Sequence, residues 1–583
     1  MTGEKASTKK KLSKLAEIKK PLIISGFIAA LAISGIFGGM YLFREEKKPE
    51  SVLNSGLHDW FLNSWDPLYN PDDLCFTPNG RVWSQIIEGL FEFNQSREDT
   101  PMIPCLAKDF GTWSSDDLNL TVPLKEKVKF HDKTPFNAEA VKWNFERLHW
   151  IIENKDSGDT WVWAYMYFLP DGRYIINETV VLDEYTVRFV LNDVYAPFRS
   201  LLSTFSSFFL SPTSTPEEDF VDRYNGKMVG TGPFVLEWYD MVYPYGLCGN
   251  ITLRANRNYW GGKPKIDIVH FEHISDEDIV SEMLTGRLHF TSRTSDTTRL
   301  EILKSTSNLT AISYIHPTNF VIAMNYDLFP LEMRKAISYA FNYSDYIDIF
   351  IKIFLDNEAI RCKSPLSNGM LYSRWDLNVP YTNLTIARQT LINASWSGTS
   401  GLTANDNISA GNEWEKLVDD DTPLAIYNFS IEADRESHIL QASLIAEYLK
   451  QIGVKVIALN LSSQLWWEKL INGGMEFWSV GWGPAFNDPV EMINPLYHTN
   501  GWFNHYNLSD SQLDTWIEQG VIETNETLRE QIYYNIQKRL VEELYPVVWT
   551  HSYIYWHVWA SSVKGIPVEG AQWKFILKYA YFE

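Results

Sequence analysis

Short apolar runs suited to strands alternate along most of the chain with longer stretches whose apolar residues recur at helical spacing, the pattern of an α/β protein. From Asn137 to His149 the string NAEAVKWNFERLH gathers Ala140, Val141, Trp143, Phe145 and Leu148 on a broad face and predicts a helix with Asn137 as its N-cap. The alternating runs TVVL (179–182) and TVRFVL (186–191) flank Asp183-Glu184-Tyr185 and predict a hairpin. A second amphipathic helix is expected from His438 to Ile452, closed by Gly453, with a strand from Val454 to Leu459 after it. Residues 396–422 are rich in Gly, Ser and Asn and predict a surface insertion. One run breaks the alternation, because Leu22 to Phe43 carries no charge. As a helix it reaches ~33 Å, enough to cross the ~30 Å hydrocarbon core of a bilayer. A basic tail (1–20) and one transmembrane signal anchor (21–43) are therefore expected.

Charge gives that run an orientation. The 583 residues hold 51 Lys and Arg against 73 Asp and Glu, net −22. Residues 1–50 carry ten basic and five acidic groups, net +5, which leaves 41 and 68, net −27, for the remainder. Lysines kept on the cytoplasmic side place everything after residue 44 outside, so the expected location is the cell membrane, single-pass, with an extracytoplasmic body. An acidic body argues against nucleic acid as a partner. The 15% aromatic content excludes a disordered polyanion.

An outward location also frames two other patterns. Asn-x-Ser/Thr triplets start at Asn94, Asn119, Asn177, Asn250, Asn308, Asn342, Asn383, Asn393, Asn407, Asn428, Asn460, Asn507 and Asn525. Among 37 asparagines chance supplies roughly five, so a glycosylated surface is expected, with some triplets remaining plain strand or turn residues. Cys75, Cys105, Cys248 and Cys362 lack CxxC spacing, which argues against zinc and allows two disulfides in any of three connectivities, or four buried thiols.

Catalytic signatures are missing. No GxxxxGK[ST], HExxH, GxSxG or Cys/His array is present, so neither an enzyme nor a cofactor or metal site is expected. Val229-Gly230-Thr231-Gly232-Pro233-Phe234-Val235 begins like GxGxxG, but Val235 stands at the third glycine and Pro233 removes a backbone donor. His131 and His316 are single imidazoles, and Asp276 and Asp278 open an acidic helix. Aromatic residues are dense from Trp466-Trp467 through Trp482, Trp502-Phe503 and Trp549 to Trp559, a supply of rings for a core or for the walls of a cleft.

Several longer strings carry a resemblance. Ile87-Glu88-Gly89-Leu90-Phe91-Glu92-Phe93, Pro104-Cys105-Leu106-Ala107, the segment Val128 to Glu139 (VKFHDKTPFNAE) and Val141 to Arg147 follow one another in order. Gly230-Thr231-Gly232-Pro233-Phe234, Asn256 to Lys265 (NRNYWGGKPK), Met324-Asn325, Arg334 to Ala340 and Gly481-Trp482 to Asp488-Pro489 continue the series. Taken together they resemble the dipeptide, oligopeptide and nickel-binding family of ABC-transporter solute-binding proteins, solute-binding protein family 5. The resemblance implies a two-lobed periplasmic-binding-protein-like α/β fold with an inserted subdomain. Lobe I falls at 51–92, 211–315 and 546–583, the insertion at 93–210 and lobe II at 316–545. It also implies a peptide-like or other small organic ligand held between the lobes, a membrane permease as partner and a monomeric chain. Ligand contacts are expected from Trp482, Gly483, Phe486 and Asp488, and further from Phe76, Thr77 and Phe320.

One departure bears on the ligand. Peptide-binding relatives carry an acid three positions after the Gly-Trp tryptophan, to hold the peptide ammonium, and Ala485 stands there. The usual Gly-x-x-Asp of lobe I is likewise changed, to Gly286-Arg287-Leu288-His289. Two readings from other classes are an extracellular carbohydrate-active enzyme, which needs two carboxyl groups facing one cleft, and a sensor or adhesion protein that uses the same fold.

Overall fold

The structure, a computed structural model, describes residues 49–57, 64–69, 76–94, 101–155, 166–169, 171–221, 227–240, 249–294, 296–405, 408–433, 435–567 and 576–583. The basic tail and the expected anchor at 21–43 lie outside them. Among the described residues no helix is long and apolar enough to cross a membrane.

One twelve-stranded sheet runs through 51–583. Its order from one edge is Val454–Leu461, Ala425–Glu432, Phe477–Trp482, Asn319–Met324, Val547–Ala560, Phe290–Thr294, Val52–Leu57, Ile268–His273, Asn250–Ala255 and Phe234–Tyr239. Strands Leu309–Ile315 and Glu358–Arg361 also pair on Val547–Ala560. That strand has 14 residues, about 46 Å at ~3.3 Å per residue, long enough to serve both halves. Its start pairs with Asn319–Met324, from Val547↔Ala323 to His551↔Phe320, and its end with Phe290–Thr294, from Trp556 to Trp559. Leu309–Ile315 continues along it from Ile554 to Ala560. Two antiparallel segments, 309–324 and 547–560, therefore carry the sheet from one half into the other. A separate four-stranded antiparallel sheet (Thr112–Trp113, Asn119–Pro123, Thr186–Leu191 and Ile176–Asp183) lies in the expected insertion.

Strand periodicity divides the core of the second half. In Asn319–Met324, Val321 and Ala323 enter the cluster with Trp478, Met492 and Trp549, whereas Ile322 and Met324 enter the cluster with Phe429, Val454 and Phe477. A sheet covered on both faces favours such uninterrupted apolar strands.

Local expectations meet the structure closely where the signal is local. The helix Ala138–Asn154 starts at Asn137, whose side chain accepts the Ala140 N–H. The hairpin Ile176–Asp183/Thr186–Leu191 turns where Asp183 accepts the Tyr185 N–H. The helix Glu436–Lys450 is followed by Gly453 at φ 71° and then by Val454–Leu461. The stretch 396–422 departs from expectation, because it contains the helix Ile408–Asp419 and buries Trp414 completely. The Trp414 indole donates to the Thr403 carbonyl, so one ring anchors a polar string onto the fold.

Most of the family strings turn out to be structural. Glu88 is buried and accepts hydrogen bonds from Tyr259 Oη (2.5 Å), Thr231 Oγ1 (2.8 Å) and Trp260 Nε1 (2.9 Å), with Cys105 Sγ 3.7 Å away. Three distant motifs thus converge on one carboxyl group of a fourth, whose pKa burial raises. Asp132 accepts from Ser211 and Ser214, and His131 Nε2 donates to the Gly232 carbonyl (3.0 Å), fastening the 131–132 turn to the segment 211–232. A Cβ on Gly230 would sit 2.2 Å from the Ile86 carbonyl oxygen, so this glycine permits the loop before Phe234 to touch the end of the helix Phe76–Ile86. The changed string Gly286 to His289 forms a turn with Gly286 at φ 75°, and His289 Nδ1 accepts the Asn54 N–H.

Two expectations from the outward location change. Two disulfides do not form, because Cys105 and Cys362 are both free and buried; Cys75 and Cys248 lie outside the described residues. Several triplet asparagines have structural work: Asn342, Asn383 and Asn525 each cap a helix by accepting the N–H three residues on. Asn is a favoured N-cap residue with Ser or Thr often nearby, so capping by itself enriches such triplets.

Candidate ligand-binding cleft

The strand Phe477–Trp482 ends in a loop, Gly483 to Pro489, that leads into the helix Val490–Tyr497. Trp482 is half-buried. Its indole donates to the Glu491 carbonyl (3.2 Å), and its ring lies 4.7 Å from that of Phe503 and 5.4 Å from that of Trp502. Gly483 is partly exposed beside it. Phe320 faces Gly481 in the sheet register, stacks on His551 at 4.8 Å, and occupies the space that a Cβ on Gly481 would need. Phe76 and Thr77 open the helix Phe76–Ile86, and their side chains lie outside the described residues.

Asp488 is only 1% exposed, and its carboxylate is already engaged. Both of its oxygens receive the Arg529 guanidinium at 2.7 Å, and Oδ1 also accepts the Val490 N–H at 3.0 Å. Burial by itself would lower the Arg529 pKa, and the adjacent Asp488 carboxylate more than reverses that, so Arg529 stays charged. Asp488 therefore holds the loop to the helix Glu526–Lys538, with no oxygen left over for a ligand ammonium.

Phe486 is buried and lines a cavity of about 340 Å³. Met166, Phe168 and Leu169 form one wall, and Phe486, Val490 and Glu491 another. Tyr195, buried, and Trp502, 48% exposed, also line it. The adjoining cavity, about 350 Å³, shares Leu169, His498 and Asn500 with the first and adds Asp171, Arg173, Asp193 and Glu518. Arg173 is paired with Asp171 and Asp193. Ala485, Phe486, Val490 and Val521 pack into the same apolar cluster as Phe189 and Phe198 of the insertion, and the Ala196 N–H donates to the Val521 carbonyl (2.8 Å). The cavity is thus the space left where the 483–502 segment meets the insertion.

Glu491 is the residue that reading the sequence missed. It is 4% exposed, and Oε2 accepts the N–H of Ala485 at 2.9 Å. Burial pushes its pKa well above the usual carboxyl range, opposed only by that hydrogen bond. Among the described residues that line the first cavity, it is the only carboxyl group and there is no lysine or arginine. Its sequence context, an acid in the first turn of a helix, is common for reasons of helix electrostatics alone and gave no signal of a site.

The comparisons with known proteins follow this geometry. Residues 101–504 match the family described as bacterial extracellular solute-binding proteins, family 5, and the chain belongs to that family. It is 24% identical over 496 residues to the glutathione-binding protein GsiB of Pectobacterium atrosepticum, covering 82% of this chain and 84% of that one. The structure is similar to that of HbpA2 from Haemophilus parasuis, with a TM-score of 0.72 and 16% identity over 91% of this chain and 100% of the other. It is also similar to the ABC transporter-associated periplasmic binding protein DppA from Helicobacter pylori in complex with the peptide STSA, with a TM-score of 0.66 and 21% identity over 92% and 99%. GsiB and DppA are binding proteins by name, and the two-lobed α/β fold is shared with the solved structures.

Proposed function

We propose that this family 5 solute-binding protein is the membrane-anchored, extracytoplasmic component of an ABC importer and captures a peptide-like or other small organic solute between its lobes. The observation that carries the reading is the aromatic-walled cavity of about 340 Å³ between 166–195 and 486–502. That volume falls in the range of small-molecule sites. Lobe I is assigned to 51–92, 211–315 and 546–583, the insertion to 93–210 and lobe II to 316–545, with 309–324 and 547–560 as the hinge. The uncharged run at 21–43, bracketed by lysines, supports the anchor, and the names of the relatives support a peptide-like ligand. Trp482 does not line this cavity itself; in this reading it acts on the ligand through Trp502, the lining ring it packs against, while Phe486 touches the solute and Asp488 shapes the loop without touching it.

The test is native mass spectrometry of the full-length chain purified in detergent, followed by a tryptophan-fluorescence titration with whatever solute is released. A bound solute and a saturable signal are expected, and Trp482→Ala is expected to weaken affinity at least about tenfold in a chain that still unfolds in one cooperative transition, at a lowered midpoint. A preparation that carries no solute and responds to none in a broad peptide and metabolite panel refutes the reading. Unchanged affinity in Trp482→Ala removes that residue from the site.

A further inference from the structure

Tyr195 carries a hydroxyl that the fold leaves unused. The residue belongs to the insertion, is 5% exposed, and lines the first cavity together with Phe486 and Val490. Its backbone is held on both sides, because its carbonyl accepts the Phe198 N–H (3.1 Å) and the next residue, Ala196, donates to the Val521 carbonyl (2.8 Å). Buried tyrosines ordinarily hydrogen-bond through the hydroxyl. Tyr167 does so with Ser207, and Tyr259 with Glu88. Among the described residues the Tyr195 hydroxyl has no hydrogen-bond partner. The acids whose charge reaches it are engaged elsewhere: Asp488 takes the Arg529 guanidinium, and Glu491 Oε2 takes the Ala485 N–H. Burial raises the Tyr195 pKa and the nearby Asp488 adds to the effect, so the hydroxyl keeps its proton. A donor without an acceptor therefore stands in the wall of a cavity that Met166, Phe168 and Leu169 otherwise make apolar.

We infer that the cavity takes a solute whose apolar body bears an uncharged carbonyl oxygen, and that the Tyr195 hydroxyl donates to that oxygen. The inference rests on the solute-binding reading above and narrows it to a class of ligand, a ketone, ester or amide. A carboxylate could also accept from the hydroxyl, but among the described residues lining this cavity no lysine or arginine offers it a countercharge, and the charge of Asp488 opposes it. The competing account makes Tyr195 a ring of the wall whose hydroxyl meets only water. Tyr195→Phe keeps the ring and removes the hydroxyl, so the two accounts separate.

The experiment uses the purified full-length chain and three probes of similar shape: acetophenone, ethylbenzene, which lacks the oxygen, and benzoate, which carries a charge. Affinities are measured by calorimetry for the wild type and Tyr195→Phe, with unfolding midpoints in parallel. Tyr195→Phe is expected to weaken acetophenone at least about fivefold, the size of one net hydrogen bond, and to leave ethylbenzene and the midpoint unchanged. Reading each probe against itself cancels the difference in their transfer from water. Benzoate is expected to bind the wild type at least about tenfold more weakly than acetophenone. An equal change for acetophenone and ethylbenzene, none included, overturns the inference. Benzoate binding as tightly as acetophenone overturns it too, as does a lowered midpoint in Tyr195→Phe, which would show the hydroxyl bonded within the fold. A native mass spectrum showing a solute without an uncharged carbonyl group overturns the inference and leaves the solute-binding reading standing. A wild type that binds neither acetophenone nor ethylbenzene also overturns it; the solute-binding reading then stands if the preparation carries a solute and falls if it carries none and answers no member of the broad panel.

Discussion

The pairing of Asp488 with Arg529 can be tested as the element that sets the binding loop. The perturbation is Asp488→Asn, which preserves shape and removes the charge. In the native chain Asp488 is 1% and Arg529 5% exposed, joined by two contacts of 2.7 Å. The substitution leaves a buried guanidinium without its carboxylate, and losing one partner of such a pair costs about 3–5 kcal/mol. Arg529 keeps two supports: Nε donates to the Gly520 carbonyl (2.8 Å), and its guanidinium lies 5.2 Å from the Tyr533 ring. These place the expected loss toward the lower end, about 3 kcal/mol. Replacing both residues, as Asp488→Leu with Arg529→Met, removes the stranded charge and is expected to recover most of that loss. The assay is urea unfolding of wild type, single variant and double variant, followed by tryptophan fluorescence and read from midpoint and slope. A single-variant loss below about 1 kcal/mol, or a double variant no more stable than the single, refutes the reasoning and returns Asp488 to the candidate ligand groups.

Two further predictions concern groups held inside the fold. Burial pushes the Cys362 thiol up to about 12 and the Cys105 thiol well above its ordinary value, so neither is expected to react with a thiol reagent in the native chain at neutral pH, and both are expected to react on denaturation without reductant. Mass-spectrometric mapping of the label checks this, and a native disulfide to either cysteine would contradict it. Burial also lowers His131 to about 4 and His551 and His557 to about 3, so all three are neutral in the fold. The unfolded chain binds those protons near pH 6.5, so the stability they contribute is complete above that pH and drains as the pH falls toward their folded values. For His131 it amounts to about 3 kcal/mol. Urea midpoints between about pH 7 and pH 4 are expected to fall less steeply in His131→Gln than in the wild type, and equal slopes would show that the imidazole reaches solvent.

How much of this was legible depended on how far apart the cooperating residues lie. Asn137, Asp183 and Gly453 act on neighbours two to four residues away, so a cap, a turn and a helix stop could be read from local strings. Residues 396–422 misled because composition averages over a window, whereas a single fully buried ring, Trp414, decides whether that window packs. The family strings revealed the architecture without revealing that Glu88, Cys105, Thr231 and Tyr259 meet in one network. In the site, the tryptophan loop was legible but the roles of its residues were not. Asp488 carries the right chemistry for a ligand and is taken by Arg529, 41 residues on. Ala485 stands where an acid was looked for, and its N–H donates to the buried Glu491 carboxyl group six residues on.

In the proposed function, ligand capture and lobe closure draw on the same side chains. Ala485, Phe486, Val490 and Val521 belong to lobe II by chain position and are buried in the cluster that contains Phe189 and Phe198 of the insertion. At the proposed hinge, parting the lobes re-exposes Phe486 and Val490, which disfavours opening by about 1.5–3 kcal/mol for each fully exposed side chain. The polar links recorded across this boundary are few: the Ala196 N–H to the Val521 carbonyl, and Thr524 to Asp117 at 3.3 Å. Both rejoin water on opening and contribute little net resistance. Closure without ligand therefore leaves apolar contact in favour and the desolvated Glu491 carboxyl group against. A solute shifts that balance only through what it gains in the closed form beyond the open one. Filling the cavity with apolar surface of the solute supplies this gain, because the closed form buries that surface and the open one does not.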